Sequence, residues 1–402
     1  MPNGQAMTAL TVPHLVARTG PDAIALAGQV ARAVAAPAAS SVDRESRFPS
    51  EAITALREAR LVGALVPTRF GGLGCSIIEM AEICDVLGQH CANTAMVYAM
   101  HQIQVAALTR HGGSTPFFEC LLHDLVDRQL LLASATSEVD VGGDVRRSIC
   151  AVDQRGEEIH LRKQAPVISY AEQADAILVT ARRHGDAAAS DQVLVFAPTD
   201  PAHTTLTRTT GWDALGLRGT CSSGYLLETH VPATHVLADG YDEISAHTML
   251  PVSHVLWSAL WLGIATDAVN RARAFVRDAA RRIPGSMPPG ATRLAEVVGT
   301  LQTMRAQIHD AARAYHAIFD DRDALSSMSF ALRMNGLKVQ SATLVVQIVA
   351  QAMAICGIAG YKADTKYSVE RHLRDAYSAG IQINNDRVLA ASASMLLVHR
   401  DD

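Results

Sequence analysis

Residues 211–232 read GWDALGLRGTCSSGYLLETHVP, a segment whose glycines mark turns and whose second half contains the short apolar run of a β-strand. Further short apolar runs lie upstream, separated by Gly, Asp or polar pairs: LLASAT at 131–136, EIHLR at 158–162, AILVTAR at 176–182 and QVLVFA at 192–197. Runs with this punctuation are typical of antiparallel strands. The middle of the chain therefore predicts a small antiparallel β-domain.

The segment before these strands has the periodicity of helices. Ser50 is a candidate N-cap, and Ser76 with Glu79 forms a candidate capping box ahead of an apolar helix face. Between the two helices, VPTRFGGLG at 66–74 predicts a turn, because Pro and three glycines interrupt any regular element.

Long apolar stripes follow the β-domain. One starts near Val255, a second runs from Leu294 to Ile318, and a third includes the uncharged stretch 341–360. Such stripes are typical of an antiparallel helical bundle. We therefore predict an α+β protein with an N-terminal helical domain over 1–130, a middle antiparallel β-domain over 131–235 and a C-terminal four-helix bundle over 236–402.

Composition excludes several classes of protein. Hydrophobic residues make up 49% and charged residues 19% of the 402 residues, which excludes intrinsic disorder, collagen and a coiled-coil rod. The formal charge of −5 gives no reason to expect nucleic acid or an anionic membrane as a partner. The uncharged stretch 341–360 could span a bilayer, but Gln347 and Gln351 give it a polar seam and no other segment suggests a membrane, so we expect a buried helix.

The seven cysteines form no CxxC pair and no Cys/His zinc spacing. We therefore expect buried thiols, no metal site and a reducing compartment. The first twenty residues show no secretion signal, so we expect a cytoplasmic enzyme.

Taken together, order and motifs resemble the acyl-CoA dehydrogenase family of flavoproteins from about residue 20 to 398. The stretch 211–232 is similar to that family's signature of a Gly-Leu-Arg turn, a serine, a strand and a Val-Pro exit. Other similar segments are SEVDVGGD at 137–144, PVISY at 166–170, GYKADTKYSVERHLRDA at 360–376 and VPTRFGGLG at 66–74.

The resemblance implies FAD held between the β-domain and the C-terminal bundle, with a neighbouring subunit completing the adenine side of a homotetramer or homodimer. It also implies an acyl thioester substrate, carried on CoA or on a carrier protein. In the family a carboxylate base takes the α-proton of this substrate while the β-hydride goes to flavin N5.

Several residues match flavin contacts of the family. Thr136 and Ser137 stand where a threonine bonds the flavin pyrimidine, and Ser169 stands beside flavin N5. Gly142 and Gly143 lie in the turn that follows the first strand, although the family usually has a serine at the position of Gly143. At Val167 the ring-stacking tryptophan of many members is missing.

At the C-terminal side, Gly357 and Gly360 match glycines that pass close to the adenosine. Arg282 is weakly similar in position to an arginine that, in the family, reaches the partner's pyrophosphate. It could equally be a solvated residue at a helix end. Asn385 stands where the family has a small polar phosphate contact. A further set of residues reads as structural ion pairs: Arg371, Arg374 and Asp375.

The family's catalytic base has no counterpart. The two positions that carry the carboxylate in different members are Ile383 and Ser253 here. The candidates to replace it are His254, whose imidazole could act as a base near neutral pH, Asp386 and Tyr377. His254 could also be a cap or surface residue, and Asp386 could cap the last helix. His101 lies on an apolar helix, where a core histidine is the commoner outcome.

Three functions remain open from the sequence. The preferred one is a FAD-dependent dehydrogenase that desaturates an acyl thioester with an unconventional base and passes electrons to a separate partner. The alternative is a flavin-dependent monooxygenase that receives reduced flavin from a reductase and uses O₂; the missing Glu and Trp favour it. The second alternative is a non-catalytic acyl-binding relative.

Overall fold

A computed structural model of the chain describes residues 16–112, 115–142 and 144–399. In these residues helices come first, strands follow, and long helices end the chain, as the α+β prediction requires. A continuous hydrophobic core runs through all three parts, with Trp261 fully buried in it. The predicted boundaries at 130/131 and 235/236 stay predictions.

The N-terminal part consists of helices joined by short turns. The capping box of Ser76 and Glu79 is present. The predicted Ser50 cap is wrong, because Ser50 is already the first helical residue and Pro49 occupies the cap position. The predicted turn at 66–74 contains one 3₁₀ turn, Thr68–Phe70, followed by Gly71 with φ of +86°. The helices are α1 Gly20–Val30, α2 Ala36–Arg44, α3 Ser50–Glu58, α4 Ile77–Gly88, α5 Ala92–His111 and α6 Pro116–Arg128, with a π-helical segment Ala31–Ala35 between α1 and α2.

The middle part contains two sheets, one of three strands in the order β1-β4-β5 and one of four in the order β2-β3-β7-β6. All pairs are antiparallel except β1 with β4, which is parallel. The sequence missed β2 and β6 because their side chains are mostly exposed and polar, so they lack an apolar run. The strands are β1 Leu132–Ala135, β2 Asp153–Arg155, β3 Glu158–Ala165, β4 Ala176–Arg182, β5 Gln192–Pro198, β6 Thr204–Thr210 and β7 Gly224–Pro232.

The C-terminal part is built around two long helices, α8 and α11, that pack against each other. Helix α11 also contacts α9 and α14, and α8 contacts α4 and α5 of the N-terminal part. The elements are α7 Tyr241–Ile244, a π-helical segment Ser245–Met249, α8 Leu250–Arg282, α9 Ala291–Ala317, α10 Arg322–Leu325, α11 Met328–Cys356, α12 Ile358–Tyr361, α13 Glu370–Tyr377 and α14 Asn385–Leu396.

Two glycines allow α4 and α8 to cross closely. A Cβ atom added at Gly88 would lie 2.5 Å from the carbonyl oxygen of Leu260, and one added at Gly263 would lie 2.3 Å from that of Asp85. Neither helix backbone can yield, so a side chain at these positions would force the helices apart. The crossing fixes the N-terminal helices against the bundle.

Among the described residues, three helices are long and apolar enough to cross a membrane: 20–44, 241–282 and 328–356. In their most apolar windows, 44%, 94% and 44% of the residues are buried inside the protein. From the sequence, only the stretch 341–360 is expected to be long and apolar enough to cross a membrane. This expectation is wrong, because two further helices meet the same criteria.

All seven cysteines are free thiols. Five are buried as expected, whereas Cys120 is exposed and Cys221 is half-buried. The prediction of buried thiols therefore fails at these two positions.

Candidate active site

Hydrogen bonds connect the loops that carry the predicted flavin contacts. The hydroxyl of Ser137, just after β1, donates to the carbonyl of Val167 at 3.0 Å. Two residues further on, the hydroxyl of Ser169 bonds that of Ser222 at 2.7 Å, and Ser222 bonds Thr220 at 2.8 Å. The end of β1, the loop 166–170 and the Gly-Leu-Arg segment therefore form one connected wall of half-buried and buried hydroxyls.

The Gly-Leu-Arg turn is fixed to helix α13. The N–H of Leu217 donates to the carboxylate of Asp375 at 2.7 Å, and a Cβ atom at Gly216 would lie 2.1 Å from the carbonyl oxygen of Arg374. Asp375 is 1% exposed, and burial raises the pKa of its carboxyl to about 6. Asp375 thus serves as an acceptor for a backbone N–H, which corrects its prediction as a member of an ion pair.

Arg374 does form the predicted ion pairs. Its guanidinium donates to both carboxylate oxygens of Asp43, at 2.9 and 2.6 Å, and to Glu370 at 2.9 Å. These bonds raise the pKa of Arg374. Arg371 donates to the hydroxyl of Ser40 at 3.3 Å. Helix α13 is in this way fastened to α2 at the N-terminal end of the chain.

The same loops contain several residues in the left-handed backbone region, which only glycine adopts without strain. Tyr170 has φ of +42°, Leu217 +47°, Cys221 +48° and Ile383 +45°. Strained positions of this kind persist where the surrounding contacts hold them, and they concentrate at functional sites. Among the described residues, four of the eight non-glycine residues with positive φ lie in these loops and in the loop before α14, which makes the loops candidates for the functional site.

Lys338 fixes the loop between α13 and α14, and the sequence analysis missed it. Its side chain is fully buried, and its ammonium donates to the carbonyl of Ile383 at 2.5 Å and to the side-chain oxygen of Asn385 at 2.6 Å. Burial lowers the pKa of Lys338 to about 8. The only signal was a single lysine on an otherwise apolar helix face. Asn385, predicted as a phosphate contact, is engaged by this lysine.

His254 differs from the base that the sequence suggested. It is 1% exposed, its Nδ1–H donates to the carbonyl of Leu250 at 2.9 Å, and its Nε2 has no hydrogen-bond partner among the described residues. Burial, with the nearby charge of Lys338, lowers its pKa to about 3. A histidine with this pKa is neutral at pH 7 and a weak proton acceptor, so the expectation of a pKa near neutrality is wrong. Its placement at the surface is also wrong.

The other two candidate bases lie on exposed positions. Asp386 is in the first turn of α14, and the side chain of Asn384 accepts its N–H at 2.8 Å, so Asn384 rather than Asp386 caps the helix. Tyr377 is 52% exposed at the end of α13. Whether any of these groups takes a proton stays a prediction.

His101 has a structural place. It is fully buried; its Nδ1 accepts the N–H of Leu132 at 2.9 Å, and its Nε2–H donates to the carbonyl of Val62 at 2.9 Å. Both nitrogens are therefore used to join β1 to the N-terminal helices. Burial lowers the pKa of His101 to about 4.

The buried His101 and His254 are expected to make the folded protein less stable as the pH falls. Between about pH 6.5 and 4, an unfolded histidine binds a proton that folded His101 or His254 cannot bind, so the free energy of unfolding falls as the pH falls. Each group contributes a slope of about 1.4 kcal/mol per pH unit in this window. We expect His254→Gln to show a shallower dependence than the parent in urea unfolding at pH 7, 6, 5 and 4.5. Equal slopes for the two proteins would contradict the assignment.

The remaining predicted contacts are dispersed around these loops. Thr136 is half-buried, Gly142 has φ of +62° and is exposed, and its carbonyl accepts a bond from Arg387 of α14. Gly143 lies outside the described residues. The three others are found at helix ends: exposed Arg282 at the end of α8, Gly357 after α11 with φ of +58°, and buried Gly360 in α12.

The residues present fit a flavin. A flavin offers a planar apolar ring with a polar edge, and such ligands bind between apolar side chains and a few placed donors. The loops supply the hydroxyls of Ser137 and Ser169, which here donate to Val167 and Ser222 and would rotate to donate to a ligand. They also supply exposed apolar side chains at Val167, Leu215 and Ile381, which are 41%, 62% and 73% exposed. Unpartnered apolar groups beside half-buried hydroxyls are what this cofactor needs. A surface cavity of about 600 Å³ beside α10 is lined by none of these residues.

Two family domains match the chain. Residues 24–116 match the acyl-CoA dehydrogenase N-terminal domain, and residues 244–382 match the acyl-CoA dehydrogenase C-terminal domain. The chain is 24% identical to cyclohex-1-ene-1-carbonyl-CoA dehydrogenase of Geobacter metallireducens over 361 residues, which cover 88% of this chain and 91% of that protein.

Two solved structures share the fold. Butyryl-CoA dehydrogenase of Megasphaera elsdenii superposes with a TM-score of 0.79 at 20% identity, covering 94% of this chain and 98% of that one. FMN-bound TdsC of Paenibacillus sp. A11-2, a dibenzothiophene monooxygenase, superposes with a TM-score of 0.82 at 18% identity and the same coverage. The two domain matches together span more than half of the sequence. The chain therefore belongs to the acyl-CoA dehydrogenase family and is a flavin-dependent oxidoreductase.

Proposed function

We propose that this protein is a flavin-dependent monooxygenase on the acyl-CoA dehydrogenase fold. One observation carries the proposal: both positions of the family's carboxylate base hold side chains that cannot take a proton at pH 7, Ile383 and Ser253. The hydroxyl of Ser253 donates to the carbonyl of Leu250, as a helical serine does. Removing an α-proton without a placed base forfeits a factor of about 10² to 10⁴ in rate.

The surrounding groups do not replace that base well. His254 has a pKa of about 3, Asp375 is bonded to Leu217, and Asp386 is exposed. Lys338 adds a buried positive charge. A positive, base-free site suits a reaction in which negative charge develops on oxygen rather than one that begins with loss of a C–H proton.

A bound, reduced flavin would supply the two electrons that an oxygenation by O₂ requires. One oxygen atom would enter the substrate and the other would leave as water, so this chain would need no base to remove an α-proton. Ser169 and Ser222 would donate hydrogen bonds at the flavin edge, and the apolar side chains of Val167 and Leu215 would exclude water. The monooxygenase named above shares this fold, which supports the proposal without identifying a substrate.

Desaturation of an acyl thioester is the second candidate. The curated relative of 24% identity is an acyl-CoA dehydrogenase, and the Nε2 of His254 has no hydrogen-bond partner among the described residues, so it could accept a proton. In this case an electron-transfer protein would reoxidise the flavin. Family membership among flavin oxidoreductases leaves a non-catalytic acyl-binding protein without support.

The two candidates predict different reactions of the purified, flavin-loaded protein. In the absence of oxygen, a panel of acyl-CoAs is expected to leave the flavin yellow, while the chemically reduced protein is expected to be reoxidised by O₂ within seconds. ¹⁸O₂ with the acyl-CoA panel, indole and dibenzothiophene should then give a labelled product, read by mass spectrometry. Rapid bleaching by any acyl-CoA would overturn the proposal in favour of desaturation.

If an acyl-CoA bleaches the flavin, His254→Gln and Asp386→Asn separate the candidate bases. Loss of more than about 10²-fold in the bleaching rate is expected for the true base. If both variants stay within a few-fold of the parent, neither residue is the proton acceptor.

We propose FAD as the cofactor, because Gly357 and Gly360 match the glycines that pass the adenosine in the family. Release by heat followed by mass spectrometry distinguishes FAD from FMN. We further propose a cytoplasmic homotetramer or homodimer in which Arg282 of one chain reaches the cofactor of its neighbour. Light scattering measures the mass of the oligomer. The variant Arg282→Ala should bind flavin more weakly while the mass of the oligomer stays the same.

A further inference from the structure

Three side chains that could bind a metal, with a fourth beside them, lie where α5 ends next to α7, outside the candidate active site. They are His111, Asp239, Glu243 and His247, which we name the His111 cluster. The ligand atoms of the first three all lie within 4.8 Å of one another. The Nδ1 of His111 is 2.6 Å from an oxygen of Asp239, and the Nδ1 of His247 is 3.7 Å from an oxygen of Glu243.

Both imidazoles are oriented in the same manner. The Nε2 of His111 bonds the hydroxyl of Thr248 at 2.8 Å, and the Nε2 of His247 bonds the hydroxyl of Ser326 at 2.7 Å. The Nδ1 of His111 therefore faces Asp239, and the Nδ1 of His247 faces Glu243. Histidines that bind metals usually have the other ring nitrogen held by such a partner, which fixes the ring.

A ring nitrogen of His247, within the cluster, has no hydrogen-bond partner in the part of the chain that the structure describes. His247 is 8% exposed, and its Nδ1 has no hydrogen-bond partner among the described residues. A buried polar atom without a partner costs free energy and calls for an explanation such as a bound ion.

His247 and its neighbour Thr248 lie on the π-helical segment Ser245–Met249. Single π-helical turns of this kind are rare and occur mostly at functional sites. The segment brings His247 and Thr248 to the same place as the end of α5.

We propose that the His111 cluster binds one divalent transition-metal ion of the Zn²⁺ type. His111, Asp239 and Glu243 offer three ligand atoms, and His247, 3.7 Å from Glu243, is the candidate fourth ligand of a tetrahedral Zn²⁺ site. Mg²⁺ and Ca²⁺ prefer oxygen ligands alone. Two cations near the cluster compete with an ion: Arg110 of α5, whose charge acts on both His111 and His247, and Arg322. The guanidinium of Arg322 is 2.5 Å from Glu243, but this side chain is 66% exposed on the short helix α10 and can leave when an ion takes over its charge.

The ion would join three separate parts of the chain. His111 closes α5, Asp239 follows β7, and Glu243 and His247 precede α8. Binding to the folded protein alone raises its stability by mass action. We therefore assign the site a structural role.

The test uses the full-length, flavin-loaded protein after removal of metals with a chelator. Titration with Zn²⁺ against a chromogenic chelator is expected to show one site per chain with a micromolar or lower dissociation constant. Zn²⁺ should raise Tm by about 2–4 °C, and Co²⁺ should give the visible absorption of a four-coordinate ion. Mg²⁺ should do neither.

Variants distinguish this site from others. His247→Ala and His111→Gln are expected to weaken Zn²⁺ binding at least about 10²-fold, and Arg322→Gln is expected to strengthen it because one competing cation is gone. The control is His230→Ala, which removes the central ring of three neighbouring histidines on the second sheet. If one variant fails to fold, the Co²⁺ spectrum of the parent and the Arg322→Gln titration still decide. Absence of binding in the parent, or binding lost only in His230→Ala, would overturn the proposal.

Discussion

Replacing Arg374 with methionine is expected to lower the free energy of unfolding by about 3–5 kcal/mol. The carboxylate of Asp43 is 5% exposed and receives two bonds from the Arg374 guanidinium. Without the arginine this carboxylate would be buried with no countercharge, which is the costly way to break a buried ion pair. Urea unfolding at pH 7 measures the change.

The effect should extend to the cofactor. Arg374 also donates to the carbonyl of Leu215 at 3.1 Å, and Arg218 donates to that of Asp43 at 3.0 Å. Loss of the Arg374–Asp43 ion pair is therefore expected to loosen the Gly-Leu-Arg turn at both of these contacts. Flavin fluorescence titration should show a dissociation constant raised about tenfold or more, which corresponds to about 1.4 kcal/mol.

An exposed ion pair provides the control. Arg333 and Asp310 form a pair whose side chains are 46% and 67% exposed. Arg333→Met should therefore cost less than about 1 kcal/mol. The double variant Asp43→Asn, Arg374→Met should recover part of the stability lost in Arg374→Met. A loss in Arg374→Met no larger than that in Arg333→Met would show that Asp43 finds water or another partner.

Local patterns in the sequence predicted the elements that depend on local physics. The capping box at Ser76 needs only two residues three positions apart, and the strands with apolar runs were found because their side chains are buried on the sheet. Strands β2 and β6 carry exposed polar side chains, so their pairing with β3 and β7 leaves no trace in the apolar pattern. Nor does any residue pattern indicate the π-helical segment at 245–249.

The site was predictable as a set of loops but not as a set of contacts. The motif at 211–232 and the segment 166–170 indicated which loops would meet. The partners inside them come from distant parts of the chain: Arg374 binds Asp43, and Leu217 binds Asp375. Pairs separated by more than a hundred residues follow from packing of whole elements, which a single sequence does not encode locally.

The pKa of His254 shows the same limit in chemical terms. From the sequence, a histidine near a helix start suggested a base active at neutral pH. Its burial in the structure lowers the pKa to about 3, because a desolvated imidazole resists protonation. The same desolvation lowers the pKa of Lys338 to about 8, and this buried ammonium keeps its charge at pH 7 with the help of the two oxygens to which it donates.

Replacing Lys338 with methionine is expected to lower turnover by about 10²-fold. Methionine fills a similar volume but leaves the carbonyl of Ile383 and the side chain of Asn385 without their donor. An unsatisfied buried acceptor costs about 1–3 kcal/mol, so the loop should shift to reach water. Ile383 has φ of +45° and stands at the family's base position, where a shift of about 1 Å costs roughly 10² in rate.

The pH dependence distinguishes loss of this cation from general damage. Burial lowers the pKa of Lys338 to about 8, so the charged form is lost as the pH rises through about 8, and turnover of the parent should fall there while that of Lys338→Met stays flat. Lys163 is the matched control, because it is also buried and donates to the carbonyl and hydroxyl of Thr180 at 2.7 and 2.8 Å. Lys163→Met should lose stability but keep the fall near pH 8. If Lys338→Met retains that fall, another group titrates there and the loop does not depend on this lysine.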